Sequence, residues 1–438
     1  MSKMNRFAIA ALVSVAGCLG AHAQQAWTLQ QCISHAIAHN ITVQRQQDNV
    51  RQQEIALSTV RNSRLPNLAA SAGENFSFGR GLTADNTYAN HNTQSTSFSL
   101  GTNVPLITGG QIPAQVRQQR LGLQAAMQDC EKAKEDVTLN VISAYLEAVC
   151  QKELVSVARQ QALLCAAQVE RMERLLAEGK AAPADVAQLR TTLATDSMTL
   201  TQQENSLMLS LLTLSQLLEL DTPDGFDVET PAEALPLDAV LPSPDAVFAE
   251  AQGFKPQVRG EQLRLSQAEE AITTARSALF PSLYFNAGLG TNYYKTSGFS
   301  GSSFGRQMRD NFNQYFGLSL SVPIFNRLQT RNNIRSARVA VHTQQLQLQE
   351  TRKALYREIQ QAYYNAVAAQ RQCMSAQVAG ESAETSFHLM KSKYENGKAN
   401  ATEFQEAKTQ LTRARSEAVQ ARLTFLFRRR VLEFYRMP

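Results

Sequence analysis

The sequence predicts a mainly α-helical fold that carries membrane β-strands and is built as an internal tandem repeat. Three observations support this prediction. An apolar seam with heptad spacing begins at Val137, and a seam in the same phase begins at Leu355. Between helices, short segments alternate apolar and polar residues with period two. Because small residues are frequent in both seams, we expect neighbouring helices to approach closely along them.

The start of the chain has the features of an export signal. Basic residues precede an apolar stretch, and Ala21 and Ala23 give the small-x-small pattern that a signal peptidase accepts. We therefore expect a signal peptide at residues 1–23. A second interpretation takes Cys18 as a lipid-modified N-terminus after cleavage at a lipobox.

Composition restricts the class of protein. The chain has 43 basic and 38 acidic residues, a balance too even to indicate nucleic-acid binding. Beyond the signal, no apolar run approaches the ~20 residues of a membrane-spanning helix, so we expect any membrane crossing to use strands. The odd number of cysteines left after the signal argues against a disulfide scaffold. Cys165 and Cys373 lie on the seams, where we expect small buried side chains.

The first element of each half is predicted to be a helix. It extends from Trp27 to about Ser63 in the first half and from Pro244 to about Ser277 in the second. A proline follows in each case, at Pro66 and Pro281, and proline cannot continue a helix.

Two strands forming a hairpin follow each of these helices. Their apolar residues alternate with polar or small ones, which is typical of a strand with one polar face. Segments rich in Gly, Asn, Ser and Thr, around 81–94 and 291–313, are predicted to be the loops. The alternating apolar residues are Phe76, Phe78, Phe98, Leu100, Val104, Leu283, Phe285, Leu289, Phe316, Leu318, Leu320 and Val322.

Long helices are predicted to begin near Gln111 and Thr330 and to continue for about 68 residues, or ~100 Å. They end at turns that contain Gly179 and Gly397, where we expect left-handed helix caps. Return helices of half that length follow. The predicted domains are a signal peptide, a first repeat, a proline-rich linker and a second repeat, with boundaries at 1–23, 24–220, 221–244 and 245–438.

The number of strands implies an oligomer. Four strands cannot close a barrel, and an open edge cannot face lipid because its backbone groups would lack hydrogen bonds. The smallest membrane barrels have ~8 strands, so at least two copies are required, and three copies give twelve strands. We therefore expect a conduit anchored in an outer membrane.

The ordered set of elements resembles the TolC-type outer-membrane efflux proteins, the outer membrane factor family. The likeness includes Pro66 and Pro281 at the strand junctions, Ala144-Tyr145 on the first long helix and the Gly-Lys turns. It implies a homotrimer with a twelve-stranded β-barrel in outer-membrane lipid, continuous with a long periplasmic α-helical barrel. It also implies a passive exit duct of a tripartite efflux or type I secretion system, which exports small toxic compounds or other substrates. The implied partners are a periplasmic adaptor (membrane fusion) protein and an inner-membrane RND or ABC transporter.

The resemblance also implies a periplasmic entrance. Asp185 and Tyr394 are similar to entrance-locking residues, Glu403 and Glu406 are similar to acidic rings, and Ala399 replaces an arginine found in some relatives. Two structural explanations compete with these roles. Acids such as Asp185 and Glu403 are favoured in a first helical turn by the helix dipole, and Tyr394 continues an apolar seam.

The helix tips are the second candidate site, because Gly179 and Gly397 could present the turns to an adaptor. No catalytic motif, phosphate loop or cofactor fingerprint is found, so we expect neither an enzyme nor a cofactor. His35 and His39 lie four residues apart but have no further ligand in sequence, and we expect no metal site. The competing class is a periplasmic coiled-coil adaptor or structural protein.

Overall fold

The computed structural model describes residues 26–82, 86–221, 225–230, 240–297 and 300–437. The predicted signal peptide, Cys18 and much of the predicted linker lie outside these residues. The described chain divides into two compact units. The first takes in the described residues up to Gln46, together with Cys130–Lys255 and the residues from Lys353 onward. The second takes in Gln47–Asp129 and Pro256–Arg352.

The second half of the chain repeats the order of elements in the first half and adds one short helix, α7. This order confirms the predicted tandem repeat. The elements are α1 (Leu29–His39), α2 (Ile41–Asn62), β1 (Asn67–Leu82), β2 (Tyr88–Thr108), α3 (Gln111–Ala177), α4 (Pro183–Leu217), α5 (Pro244–Ala251), α6 (Pro256–Ser277), β3 (Ser282–Thr296), α7 (Phe304–Asp310), β4 (Asn313–Ser321), α8 (Gln329–Glu395) and α9 (Ala401–Phe434).

The prediction of one continuous helix before each hairpin was wrong. In the first half the chain is extended at Asn40, with φ −62° and ψ 128°. The Asn40 side chain stabilises this break, because its Oδ1 accepts a hydrogen bond from the Thr42 amide and its Nδ2 donates to the Leu217 carbonyl. In the second half a break separates α5 from α6, since Pro256 disfavours a helical conformation for the residue before it.

The four predicted strands are confirmed, and they form one antiparallel sheet in the order β1-β2-β3-β4. The predicted loops were too long. Strands β1 and β2 pair as far as Leu82 and Tyr88, because polar residues such as Gln94 and Thr96 on β2 hydrogen-bond Glu74 across the strands. The second loop contains α7, which is fastened to β3 by Gln307, whose side chain bonds both the amide and the carbonyl of Tyr294.

The long helices α3 and α8 each have 67 residues, close to the predicted length. Their seams form the core of the first unit, where Val141, Ala148, Leu355 and Ile359 are fully buried. Full burial of a side chain the size of Val141, Leu355 or Ile359 stabilises a fold by roughly 1.5–3 kcal/mol. Within the described residues, no helix combines the length and apolar character needed to cross a membrane.

Tyr145, on α3, connects the residues just before α1 to the segment between the repeats. Trp27 and Val228 form a parallel β-bridge. The buried Tyr145 hydroxyl donates a hydrogen bond to the Glu229 carbonyl at 2.6 Å, and Lys152 donates to the Val228 carbonyl at 2.8 Å. Burial raises the pKa of Tyr145 to about 12, so it remains a neutral donor at physiological pH.

Candidate functional site

The two helix tips have the same backbone geometry. At the end of α3 the Gly179 amide donates to the Leu176 carbonyl at 2.9 Å, and the Lys180 amide donates to the Leu175 carbonyl at 2.8 Å. This pair of bonds is a Schellman motif, which needs a left-handed residue at the first position after the cap. Gly179 has a φ of 70°, and so does Gly397 at the end of α8. The predicted left-handed caps are therefore present at both tips.

The turn after α8 leads into a capping box at the start of α9. The Asn400 side chain accepts a hydrogen bond from the Glu403 amide at 2.8 Å, and the Glu403 carboxylate accepts one from the Asn400 amide at 3.0 Å. Such reciprocal bonds satisfy two amides that the helix itself leaves without partners. Glu403 is exposed at the tip, where one of its carboxylate oxygens serves this structural purpose.

Asp185 and Tyr394 line one cavity of about 560 Å³ beside the tips. The cavity is bounded by α3, α4, α8 and α9, and Gly397 also lines it. The Tyr394 ring stacks on Phe404 with 4.7 Å between ring centroids. The Tyr394 side chain is therefore placed by aromatic packing, while the exposed Asp185 stands in the first turn of α4.

Glu406 does not line this cavity. It lies one helical turn beyond Glu403 on α9, in a neighbouring open groove with Arg413 and Glu417. The structure thus brings Asp185 and Tyr394 together and places Glu406 on a different surface of the same unit.

A buried ion pair joins the two repeats above the tips. Lys408 on α9 is 1% exposed, and its Nζ lies 3.2 Å from Oδ2 of Asp196 on α4, a side chain that is 17% exposed. Isolated charges in such surroundings are strongly disfavoured, so each group depends on the other. The nearby Cys165 thiol has its pKa raised by burial, an effect that the positive charge of Lys408 opposes.

The same cluster extends to α3 through neutral side chains. The Thr412 hydroxyl donates to Oε1 of Gln161 at 2.9 Å, and Nε2 of Gln161 lies 3.5 Å from Oδ2 of Asp196. Helices α3, α4 and α9 are therefore connected by polar contacts inside an otherwise apolar interface.

Sequence reasoning missed this ion pair, although the pattern contained a signal for it. Asp196 follows Leu189 and Leu193 with the spacing of an apolar seam, and Lys408 stands between Phe404 and Leu411 with the same spacing. A basic residue at a position of one apolar seam and an acidic residue at a position of another indicate a buried ion pair between the two helices. The return helices are predicted from their length and their turns, and these features do not distinguish charged positions that face a neighbouring helix from those that face water.

The histidine pair on α1 forms a stack. The ring centroids of His35 and His39 lie 4.1 Å apart, and His39 Nδ1 is 3.0 Å from the His35 carbonyl oxygen. Burial lowers the pKa of His35, and the neighbouring His39 lowers it further. Among the described residues, no group of three or more His, Cys, Asp or Glu side chains is arranged to hold a metal ion.

Comparison with known proteins identifies the family. Residues 32–219 and 247–433 match the outer membrane efflux protein family, so both repeats are included. The chain belongs to the outer membrane efflux protein family. An outer-membrane location and a role in efflux, both predicted from the sequence, are confirmed by this membership. Members of this family are transport channels and not enzymes.

The pyoverdine export outer membrane protein OpmQ of Pseudomonas aeruginosa is a relative within the outer membrane efflux protein family. It is 27% identical over 308 residues, a match that covers 68% of this chain and 60% of OpmQ. The chain therefore aligns with about three fifths of the length of that relative.

Solved outer-membrane proteins share the fold. The CmeC channel of Campylobacter jejuni gives a TM-score of 0.74 at 17% identity, over 93% of this chain and 85% of that one. The open state of the MtrE channel of Neisseria gonorrhoeae gives a TM-score of 0.72 at 19% identity, over 93% of this chain and 88% of that one. VceC of Vibrio cholerae gives a TM-score of 0.71 at 16% identity, over 93% of this chain and 96% of that one. The predicted fold class, that of trimeric TolC-type efflux proteins with a tandem repeat, is confirmed.

Proposed function

We propose that three copies of this chain form a passive outer-membrane duct, which is the exit of a tripartite efflux or type I secretion system. One observation carries this proposal: the sheet of a single chain is open and has an exposed apolar face. Its outer strands are β1 and β4, each paired on one side only within the chain. Exposed edges of this kind require a partner, and copies of the same sheet can supply it.

The apolar face of the sheet is continuous across all four strands. In the register, Leu68, Thr102, Ala287 and Phe316 lie opposite one another and so share a face. Leu68 is 73% exposed and Phe316 is 84% exposed in the single chain. A face of this kind is suited to contact with lipid, with the opposite polar face towards water.

The cargo and partners follow from this assignment. The role of OpmQ in pyoverdine export supports the export of small organic compounds by this chain too. A duct without its own energy source needs an inner-membrane RND or ABC transporter, and a periplasmic adaptor to connect the two. The proposed repeats, residues 24–220 and 245–438, would each supply one helical hairpin to the periplasmic part, and the signal peptide at residues 1–23 would direct export.

We assign the periplasmic entrance to Asp185, Tyr394, Glu403 and Glu406. The cavity shared by Asp185 and Tyr394 supports a gate, because both side chains lie between the two helical hairpins at their tips. Substitution of Asp185 by Asn together with Tyr394 by Phe removes the carboxylate and the phenol hydroxyl from the residues that line this cavity, and it is expected to raise single-channel conductance in planar bilayers. The matched control is Asp221→Asn, which also removes one carboxylate but lies away from the tips. Equal conductance in the double variant, the control and the wild type would exclude Asp185 and Tyr394 from the gate.

Neutralising Glu403 and Glu406 tests the acidic part of the entrance. A trimer would carry these carboxylates three times each, and rings of acids favour cations in a pore. The variant with Glu403→Gln and Glu406→Gln is expected to lose cation preference in reversal-potential measurements and to be blocked less by divalent cations. Gln retains the capping interaction of Glu403, so the helix start is preserved. Unchanged selectivity and block would place both residues outside the entrance.

The glycine tips are proposed as the docking points for the adaptor. Replacing Gly179 or Gly397 by Val forces the valine to adopt a φ of 70°. This left-handed conformation costs an L-residue roughly 1–2 kcal/mol of folding free energy. We expect each Val variant to reduce cross-linking to the adaptor and to reduce efflux, whereas Asn, which tolerates this conformation, has a smaller effect. Wild-type efflux and normal trimer yield in the Val variants would remove the tips from docking.

A further inference from the structure

The polar face of the sheet carries uncharged residues, most of them small. By register, its members alternate with the apolar face and include Ser71, Ser97, Ser99, Asn103, Asn286, Gly288, Tyr315, Gly317 and Ser319. The Asp, Glu, Lys and Arg residues of the described strands are Glu74, Arg80 and Lys295, and all three have the register of the apolar face. The polar face therefore contains hydroxyl and amide groups but no acidic or strongly basic side chain along these strands.

One of the large side chains on this face, that of Tyr315, is held against the sheet, whereas Tyr284 and Tyr294 have the same register elsewhere on β3. Tyr315 on β4 lies directly opposite Gly288 on β3. A Cβ atom added to Gly288 would stand 2.9 Å from Cε1, Cζ and Oη of Tyr315, closer than such atoms approach. The ring thus covers the glycine, an arrangement known for aromatic residues opposite glycine in sheets. Tyr315 remains 59% exposed, so the other side of its ring faces the space beyond the sheet.

We propose that Tyr315, held flat by Gly288, sets the free cross-section of the strand-lined passage at its own level, and that this passage selects its cargo by size and not by the sign of its charge. This inference rests on the proposed function, in which the polar face lines the interior of a twelve-stranded barrel. Pores discriminate charge through rings of charged side chains, and the strands supply none to this face. The cargo class is then bulky organic molecules, whether neutral, positively charged or negatively charged. Any preference of the pore for one sign of charge would come from residues outside the strands.

The width of the passage is tested by moving the ring. Gly288→Ala in the full-length protein pushes the Tyr315 ring off the sheet, because the added methyl group occupies its place. We expect a lower single-channel conductance. We also expect a lower size limit for the polyethylene glycols that can enter the pore. Gly317→Ala is the matched control, since it adds the same group to the same face, two residues from Tyr315, with nothing within 4 Å of the new Cβ. The double variant Gly288→Ala with Tyr315→Ala is expected to recover or exceed the wild-type conductance.

The absence of a charge filter is tested by adding one. Ser319→Lys places one ammonium group per chain on the polar face, and Ser319→Asn is its neutral control. In a potassium chloride gradient, the Lys variant is expected to shift the reversal potential towards anion preference, whereas the Asn variant leaves it at the wild-type value. A Lys variant without this shift would overturn the placement of this face inside the passage.

The two proposals fail in different ways. A folded protein that forms no pore in any variant would overturn the proposed function, and the inference with it. A protein that forms pores, but whose Gly288→Ala variant has the conductance and size limit of the Gly317→Ala control, would overturn only the role of Tyr315.

Discussion

Replacing Lys408 by Met is expected to destabilise the protein by about 3–5 kcal/mol per chain, the range for breaking one side of a buried ion pair. The reason is that Met fills the space of the lysine stem but leaves the Asp196 carboxylate without its partner at 3.2 Å. The loss is measured as a lower midpoint of thermal unfolding of the purified trimer in detergent, followed by circular dichroism. Lys398→Met is the control, because Lys398 is exposed at the tip and the same change there should have little effect.

A second substitution separates the ion pair from general damage to the core. Replacing both partners by apolar residues, Lys408→Met with Asp196→Leu, is expected to restore most of the lost stability, because no charge remains buried. A double variant as unstable as Lys408→Met alone would contradict this explanation and indicate that the lysine stem, not its charge, is what the core requires.

Replacing Lys255 by Met is expected to loosen the C-terminal end of the chain and to cost about 2 kcal/mol, as for hydrogen bonds to a charged group. The Lys255 Nζ donates to Glu135 and to the Phe434 carbonyl, both at 3.0 Å, and lies 4.1 Å from the centre of the Phe434 ring. Without these contacts the last turn is held less firmly. Faster digestion by carboxypeptidase, together with a lower thermal midpoint, measures the effect.

The Lys255 variant should also respond to pH. Burial raises the pKa of Glu135, and the charge of Lys255 opposes this rise, so removing the lysine raises the pKa further. A carboxyl group with a raised folded-state pKa destabilises the fold above that pKa, and the penalty is relieved as it becomes protonated. The loss of stability in the Lys255 variant is therefore expected to be larger at neutral pH than at acidic pH. Phe434→Leu, which keeps the carbonyl acceptor and Glu135 intact, should show no such pH dependence, and an equal response in both variants would contradict the role of the charge.

Much of the fold could be predicted because it depends on periodic patterns. The seams from Val137 and Leu355 determined the two long helices, and alternation around residues such as Phe98 and Phe316 determined the strands. The breaks at Asn40 and before Pro256 were missed because they depend on one side chain or one turn within a helical pattern. Loop boundaries were also misplaced, since the polar residues near Gln94 hydrogen-bond across the strands and extend the pairing.

The candidate site was less accessible to sequence reasoning. The glycine caps could be predicted, because Gly179 and Gly397 follow long helices at positions that need a left-handed residue. The shared cavity of Asp185 and Tyr394 could not be derived from spacing, because it depends on how separate hairpins pack. The residues were assigned by resemblance, and their part in gating remains a prediction.

The central claim is that one chain supplies only a third of a membrane-sealed ring with a hollow interior. Native mass spectrometry of the mature protein extracted from outer membranes, followed by its incorporation into planar bilayers, tests this claim most directly. We expect a mass of three chains and discrete, long-lived conductance steps from that species. A buffer-soluble single chain that yields no conductance would contradict the account and favour a periplasmic adaptor or structural protein.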